Sequence, residues 1–371
     1  MNLKKHPVRN LTAMIKKHYA FSRRNFPRIF ALYSKIILQE PFRILENVKY
    51  DDAIRNHIPA KDPVFIIGHW RSGTSFLQYL LSRDPQFGYL NKFQVIFPDL
   101  FLQSESYLKP LINRIPETLN IIRDARNMSV NLELDSPSEI EIALTCMISP
   151  ASLHWGHIFP ENAWDYFNKY LFLDTANAKE KEQWKQDYQY LIQKISFKNN
   201  GKQVLVKSPG NSCRVVNILE MYPGARFIFI HRNPYDVFYS SKKLWNTLLD
   251  NLALQNFSER QMELEIIRTY KKLMKRYLLQ KQKIPAGQLA EVRFQDFISD
   301  PVNELHSVYE QLRLKGFTKA RSRINHFLEN KEKATSGSYE YEKRVISVIN
   351  RNWEFAFKQW QYPLITNKQY A

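Results

Sequence analysis

The 371-residue chain has only two cysteines, ten glycines and no long apolar run. Cys146 and Cys213 are too few for a disulfide framework or a cysteine-based zinc site, and their number fits a reducing compartment. The longest apolar candidate near the N-terminus, residues 29–38, is interrupted by Ser34 and Lys35, so we expect no membrane-spanning helix and no secretory signal. These absences together favour a cytoplasmic protein.

The composition is that of a globular protein with a strong excess of positive charge. Hydrophobic residues make up 44% of the chain and charged residues 24%, which excludes a disordered tail, a collagen and a coiled-coil rod. The 54 basic and 36 acidic residues give a net charge of +18. Such a charge predicts an anionic partner: nucleic acid, a membrane surface, or a phosphorylated or sulfated small molecule.

Half of this net charge lies in residues 1–45, which contain ten basic residues and a single acid, Glu40. The basic residues are Lys4, Lys5, Arg9, Lys16, Lys17, Arg23, Arg24, Arg28, Lys35 and Arg43. Apolar residues alternate with these charges, so the segment could lie on an anionic membrane surface, or form two solvated helices packed on a catalytic body. We predict a basic helical segment over 1–58 and one α/β domain over 59–371, with a helical insert at about 95–200.

Strands and helices are predicted to alternate in the larger domain. The apolar run 64–67 predicts a buried parallel strand, which is followed by a glycine-bounded loop and by a helix from Thr74. Further strands are predicted at 204–206, 225–231 and 289–294, with helices at 212–222 and 235–245. This alternation predicts an α/β fold with a mostly parallel central sheet and helices on both faces.

Groups that can bind an anion follow three of these strands. The loop 68–73, Lys207 and Arg232 each come directly after a predicted strand. Because ligands of such sheets bind at the carboxyl ends of the strands, we expect the three to share one edge. This convergence predicts a binding site for a phosphorylated or sulfated molecule.

The loop sequence GHWRSGTS resembles the nucleoside-triphosphate loop G-x-x-x-x-G-K-[ST] in its glycine spacing. Thr74 stands where that loop has lysine, which argues against triphosphate hydrolysis. Arg71 could contact a phosphate from within the loop through its forked guanidinium. The alternative is a glycine turn followed by a helix cap.

The sequence RNPYDVFYS places Ser240 eight residues after Arg232, about two helical turns further on. With Pro234 at the helix start, a phosphate between strand end and helix could contact both side chains. The alternative is an Arg232–Asp236 ion pair that closes the turn.

Together these motifs resemble the sulfotransferases that use 3′-phosphoadenosine 5′-phosphosulfate (PAPS). GHWRSGTSFL is similar to their 5′-phosphosulfate loop, FIFIHRNPYDVFYSS to their 3′-phosphate site, and VLVKSPGN to the strand end that carries their catalytic lysine. VRFQDFISDP is similar to a strand and acidic turn that often follow, and order and spacing agree over residues 63–313. The resemblance is greatest to the microbial group with an R-S-G-T loop, and it implies a P-loop-like fold.

The resemblance implies a role for each matched residue. The donor's 5′-phosphosulfate would be held by the loop and the start of the helix, through Arg71, Ser72, Gly73, Thr74, Ser75 and Phe76. Arg232 and Ser240 would hold the 3′-phosphate, and Lys207 would neutralise charge on the sulfonate and the leaving phosphate. Fixed cations and N–H donors can stabilise that charge, so we expect no metal.

The catalytic base does not follow from the motifs. Pro209 stands where one branch of the family has histidine, and residues 88–94 lack the acid of another branch. Our candidates are Glu139 and Glu141, which lie on one side of an extended segment but on different faces of a helix. His69 is next, then His157 and His154. Asn211 would orient the acceptor or the loop, or would merely cap a helix.

The acceptor is expected to be a small molecule with a hydroxyl group, and the aromatic insert and basic N-terminus favour a hydrophobic alcohol such as a sterol or lipid. A carbohydrate is the first alternative, because aromatic walls also stack on sugar rings. A kinase with a degenerate loop and a nucleic-acid-binding protein are alternatives of other classes. We expect no nucleic-acid partner, and we keep open a contact of residues 1–45 with the inner membrane surface.

Overall fold

The computed structural model describes residues 6–18, 24–114, 134–330 and 339–366. Of the N-terminal basic residues, Lys4, Lys5 and Arg23 lie outside these ranges. The helices and strands are α1 (Pro7–Lys17), α2 (Phe26–Asn56), β1 (Val64–Gly68), α3 (Thr74–Leu81), β2 (Phe87–Gly88), α4 (Lys92–Ile96), α5 (Phe101–Arg114), α6 (Ile140–Cys146), α7 (Trp155–Ile158), α8 (Ala163–Tyr166), α9 (Ala178–Lys198), β3 (Gln203–Lys207), α10 (Val215–Met221), β4 (Arg226–His231), α11 (Pro234–Leu252), α12 (Glu259–Gln280), β5 (Leu289–Arg293), α13 (Phe294–Ser299), α14 (Pro301–Gln311), α15 (Phe317–Glu329) and α16 (Lys343–Trp360).

The five strands form one sheet in the order β2-β3-β1-β4-β5. Strand β4 pairs in parallel with β1, where Val64 lies opposite Arg226, and with β5, where His231 lies opposite Arg293. All residues of β1 and β3 are buried, which explains the continuous apolar runs at 64–67 and 204–206 within them. The predicted α/β fold, with a parallel central sheet flanked by helices, is confirmed.

Two predicted helices differ from the structure in their bounds. The helix predicted at 212–222 begins instead as a 3₁₀ turn over Pro209–Cys213, and the α-helix covers only Val215–Met221. The helix predicted at 235–245 begins at Pro234 and continues to Leu252, because neither glycine nor proline follows Trp245 within that stretch to end it.

The chain divides into two compact units, the first comprising Met1–Lys61, Gly88–Val206 and Thr247–Phe257, and the second Asp62–Phe87, Lys207–Asn246 and Ser258–Ala371. The predicted domain bounds 1–58 and 59–371, with an insert at about 95–200, stay a prediction. No helix within the described ranges combines the length and the apolar composition needed to traverse a bilayer.

In the first unit, a buried ion pair joins α2 to α9. Lys194 on α9 contacts the Glu46 carboxylate on α2, and both side chains are 1% exposed. Lys194 also donates to the Pro98 carbonyl oxygen at 2.5 Å, and Glu46 accepts from the Gln103 amide at 3.0 Å. These additional hydrogen bonds satisfy groups that would otherwise be costly to bury.

Aromatic side chains of the predicted insert form core in this unit. Trp155, Phe159 and Tyr166 are buried and stack in sequence, with ring centroids 6.2 and 6.3 Å apart. His18 stacks on Phe159 at 4.5 Å and contacts the Tyr166 hydroxyl at 2.8 Å. Packing therefore accounts for these aromatics, and they do not by themselves indicate an acceptor pocket.

Candidate functional site

The loop between β1 and α3, in the second unit, requires glycine at both ends. Gly68 has a φ of +148°, and a Cβ there would lie 2.4 Å from the Ile230 carbonyl oxygen. Gly73 has a φ of +102°, and its Cβ would lie 2.4 Å from a ring carbon of Phe294. Both conformations are ones that side chains rarely adopt, and both backbones approach their neighbours closely. The two glycines therefore fix the loop's path.

Hydrogen bonds within the second unit hold this loop in shape. The Ser212 hydroxyl accepts from the Gly68 amide and contacts its carbonyl oxygen, each at 2.8 Å. The Ser72 hydroxyl donates to the His69 carbonyl oxygen at 2.7 Å. The loop leads into α3, whose first-turn N–H groups have no acceptor within the helix and carry the positive end of its dipole. Such a helix start can bind a phosphate or sulfate oxygen.

Arg71 and the two motif residues after β4 lie together. The Arg71 Nε donates to the Ser240 Oγ at 2.8 Å. The Arg232 Nη1 lies 3.5 Å from the Arg71 carbonyl oxygen, and its guanidinium lies over the Phe294 ring, 4.5 Å from the centroid. The ion pair considered as the alternative for Arg232 is also present, with its Nε 3.3 Å from Asp236 Oδ2. The ion pair is therefore formed, and the binding of a phosphate by Arg232 and Ser240 stays a prediction.

The electrostatics of this cluster favour an added anion. Burial is the main cause that lowers the pKa of Arg71; Tyr339 opposes it, and the nearby Arg232 cation contributes a smaller lowering. Asp236, the ion-pair partner of Arg232, also accepts a hydrogen bond from the Tyr341 hydroxyl at 2.7 Å. The two guanidinium groups repel each other, and a bound phosphate would offset that repulsion.

Lys207 ends β3 and is 7% exposed. The Ser208 amide donates to the Ile66 carbonyl oxygen of β1 at 3.2 Å, which fixes the chain directly after the lysine. The buried Ser208 hydroxyl has no hydrogen-bond partner among the described residues. Asn211 lies inside the 3₁₀ turn rather than at the start of α10, where Arg214 is the N-cap, so helix capping does not account for it.

His69 is the candidate base that lies within the loop. Its ring is buried, and its Nδ1 lies 2.8 Å from the Trp70 carbonyl oxygen. A carbonyl oxygen can only accept, so Nδ1 carries the proton and Nε2 keeps its lone pair. Burial lowers the pKa of His69 to about 4 despite this hydrogen bond. The ring is therefore neutral at pH 7.

The other candidate bases lie in the first unit. Glu139 is the extended residue directly before α6, and Glu141 is in the first turn of that helix, so the pair spans the start of the helix. Both carboxylates are buried. The Nδ1 atoms of His154 and His157 lie 3.3 Å apart, and the pKa of His157 is lowered to about 3 by burial and by His154, with Glu139 opposing. The structure thus groups Glu139 with the two histidines and leaves His69 in the other unit.

Sequence reasoning missed two residues that shape the loop, Ser212 and Phe294. Ser212 is a small polar residue after a predicted strand, and nothing in the sequence links it to Gly68. Phe294 directly follows β5, beside β4 in the sheet, so its place after a strand end was the available signal. In the described ranges, no three His, Cys, Asp or Glu side chains are grouped as a metal site would require.

Comparisons with known proteins identify the family. A family model described as the sulfotransferase family matches residues 63–319. Omega-hydroxy-beta-dihydromenaquinone-9 sulfotransferase Stf3 of Mycobacterium bovis is 26% identical over 318 residues, which cover 85% of this chain and 79% of that protein. The Mycobacterium tuberculosis protein of the same name matches to the same extent.

Two solved structures support the fold. Sulfotransferase STF9 from Mycobacterium avium has a TM-score of 0.68 and 17% identity, with 87% of this chain and 82% of that one covered. Sulfotransferase STF1 from Mycobacterium tuberculosis has a TM-score of 0.66 and 16% identity, with coverages of 94% and 91%. At these identities the likeness concerns the fold alone.

Proposed function

The chain belongs to the sulfotransferase family, and we propose that it transfers a sulfonate group from PAPS to the hydroxyl of a hydrophobic alcohol, such as a lipid or a sterol. The observation that carries the proposal is the cluster of Arg71, Arg232 and Ser240 beside a glycine-fixed loop. This cluster offers two guanidinium cations and a hydroxyl group to the 3′-phosphate, which PAPS has and a 5′-nucleotide such as AMP lacks.

The residues present fit such a donor. The start of α3, with Ser72, Gly73, Thr74 and Ser75, would hold the 5′-phosphosulfate through its N–H groups. Gly73 allows the loop before the helix to pass close to Phe294, where a Cβ would not fit. Phe76 packs against Phe297, with centroids 5.3 Å apart, and so anchors the first turn of the helix. When bound, PAPS supplies the sulfonate that is transferred.

The 3′-phosphate is assigned to Arg232, Ser240 and, in addition, Arg71. The motif resemblance alone placed Arg71 at the 5′-phosphosulfate, but its Nε is directed to Ser240. Its remaining guanidinium nitrogens can still serve either phosphate. The ion pair with Asp236 is made by the Nε of Arg232, and the Phe294 ring packs against the guanidinium plane. Both contacts orient Arg232, and neither Nη1 nor Nη2 takes part in the ion pair. Those two nitrogens suit the bidentate binding of a phosphate.

Lys207 is assigned to charge stabilisation. As a sulfonate leaves, negative charge grows on the phosphate oxygen that it was bonded to, and a fixed ammonium lowers the energy of that state. For the proton of the acceptor hydroxyl, the candidates remain Glu139 with its neighbour His157, Glu141, and His69. The Nε2 of His69 is unprotonated at neutral pH, but a pKa of about 4 makes it a weak base.

The acceptor class rests on one relative and on the charge of the chain. Stf3 is named as a sulfotransferase of omega-hydroxy-beta-dihydromenaquinone-9, and the match covers most of both chains. By analogy, a terminal hydroxyl on a long apolar molecule is the acceptor that we expect here. The buried, mutually stacked aromatics of the first unit give no added support to a carbohydrate.

The test is a calorimetric titration with adenosine 3′,5′-bisphosphate, with 5′-AMP in parallel and EDTA present. Binding that depends on the 3′-phosphate supports the donor, and transfer of labelled sulfonate from PAPS to a hydroxylated menaquinone, a sterol or a sugar then assigns the acceptor. Equal binding of both nucleotides, or phosphate transfer from labelled ATP instead, would overturn the proposal in favour of a kinase.

A further inference from the structure

Helix α2, in the first unit, exposes an unusual amount of apolar surface. Of the fifteen large apolar side chains that are exposed in the described part of the chain, eight lie on this helix: Phe26, Phe30, Ile37, Leu38, Phe42, Ile44, Leu45 and Val48. Val48 is 84% exposed and Leu38 72%. A concentration of exposed apolar side chains on one helix marks an interaction surface rather than scattered surface residues.

Five of these side chains are aligned along the helix. Phe26, Phe30, Ile37, Ile44 and Val48 are separated by four, seven, seven and four residues, so they fall on one line of an α-helix. We call this line the α2 stripe. It extends over 22 residue steps, or about 33 Å at 1.5 Å per residue.

A different face of α2 packs into the unit. Ile29, Ile36 and Ile54 are buried, and Glu46 reaches the buried Lys194. The helix is therefore held in place by its inner face while the stripe remains outside. The stripe is a feature of the folded unit and not of a loose terminal peptide.

Positive charge predominates in α1 and in α2 up to residue 50, and the acids Asp51 and Asp52 follow near the end of α2. Between residues 6 and 50 the sequence contains two acids, Glu40 and Glu46. Glu40 is ion-paired with Arg43 at 2.5 Å, and Glu46 is buried against Lys194. Between residues 6 and 50, the exposed basic side chains are Arg9, Lys16, Lys17, Arg24, Arg28 and Lys49.

We propose that the α2 stripe docks on the surface of an anionic lipid bilayer, to which the net positive charge of α1 and the first part of α2 attracts it. Apolar side chains of a helix lying in the interface enter the acyl boundary, while lysines and arginines contact the anionic headgroups. A second copy of the chain is the less favoured occupant, because a symmetric contact would bring two such basic segments together.

The experiment is vesicle flotation of the full chain with phosphatidylcholine vesicles, with and without phosphatidylglycerol, at low and at high salt. The proposal expects binding that requires phosphatidylglycerol and weakens with salt. The Ile37→Asn/Val48→Asn variant is expected to lower the partition coefficient about tenfold or more. Leu264→Asn/Leu279→Asn, which changes two exposed leucines of α12, is the matched control and is expected to bind as the wild type does.

Other outcomes overturn the proposal. Unchanged binding of the Ile37/Val48 variant, or an equal loss in the α12 control, would remove the stripe as the docking surface. A wild-type dimer that the Ile37/Val48 variant converts to a monomer, without vesicle binding by either, would assign the stripe to a contact between copies.

Lys16→Gln/Lys17→Gln changes no apolar residue and must also weaken binding to anionic vesicles. Titration of each variant with adenosine 3′,5′-bisphosphate keeps this test separate from the donor assignment, because the stripe lies outside the donor residues.

Discussion

Replacing Arg232 with alanine should weaken binding of the 3′-phosphate and leave the rest of the nucleotide unaffected. In the structure its Nε faces Asp236 at 3.3 Å and its planar group lies over Phe294, so the terminal nitrogens are the ones available to a phosphate. A hydrogen bond to a charged group contributes about 1.5–3 kcal/mol. The loss corresponds to a rise in Kd of about 10-fold to 150-fold.

The same variant also leaves Asp236 without its ion-pair partner. Its carboxylate would then repel the incoming phosphate, so Arg232→Ala should fall toward the larger end of that range. The double variant Arg232→Ala/Asp236→Asn removes the repulsion and should recover part of the affinity. Arg232→Lys keeps a charge but not the fork, and should lie between wild type and alanine.

Calorimetry with adenosine 3′,5′-bisphosphate and with 5′-AMP separates the two phosphates. Arg321→Ala, an exposed arginine on α15, serves as the control for a general change of charge. Wild-type affinity of Arg232→Ala for the bisphosphate would refute the assignment. So would an equal loss for both nucleotides, because Arg232 would then act on the common part of the ligand or on the fold.

Three further changes test other parts of the site. Lys207→Ala should lower turnover about 100-fold or more while the Kd for the bisphosphate changes little, because the charge that Lys207 stabilises develops only during transfer. A parallel loss of turnover and of bisphosphate affinity would contradict this role. Gly73→Ala should destabilise the fold by about 1–3 kcal/mol more than Gly201→Ala in denaturant unfolding, because both have positive φ but only the former Cβ meets a ring, at 2.4 Å. The free energy of unfolding should fall as the pH decreases from 6.5 towards 4, by about 1.4 kcal/mol per pH unit from His69. In this range the histidine of the unfolded chain binds a proton, whereas the buried His69, with a pKa of about 4, does not. His69→Gln should reduce that slope, and an unaltered slope would show that His69 is not responsible.

Much of the fold follows from local sequence features. The continuous apolar runs at 64–67 and 225–231 predicted strands that the structure contains. As expected, β1 ends at Gly68, β3 ends at Lys207, and β4 ends directly before Arg232. The loop was predictable because glycine spacing determines which backbone paths are open. The end of α11 was not predictable, because residues 246–252 contain neither glycine nor proline to stop the helix.

The side-chain pairings of the site were less predictable. The Arg71–Ser240 hydrogen bond joins residues 169 positions apart, and the Gly68–Ser212 contact joins residues 144 apart. Periodicity and propensity are local properties and do not determine such partners. The choice between a helix and an extended segment at Glu139 and Glu141 was likewise open, because both arrangements fit the pattern DSPSEIEIAL.

These long separations have a consequence for how the protein acquires its ligand. The loop after β1 emerges early in synthesis, but its hydrogen-bond partner Ser240 is made only when almost two thirds of the chain exists. A nascent chain shorter than about 240 residues therefore cannot form the complete anion site, and closing such long loops is a slow step of folding. Nucleotide binding would stabilise only chains that have completed this step. Binding of the donor would therefore depend on complete folding, in addition to supplying the group that is transferred.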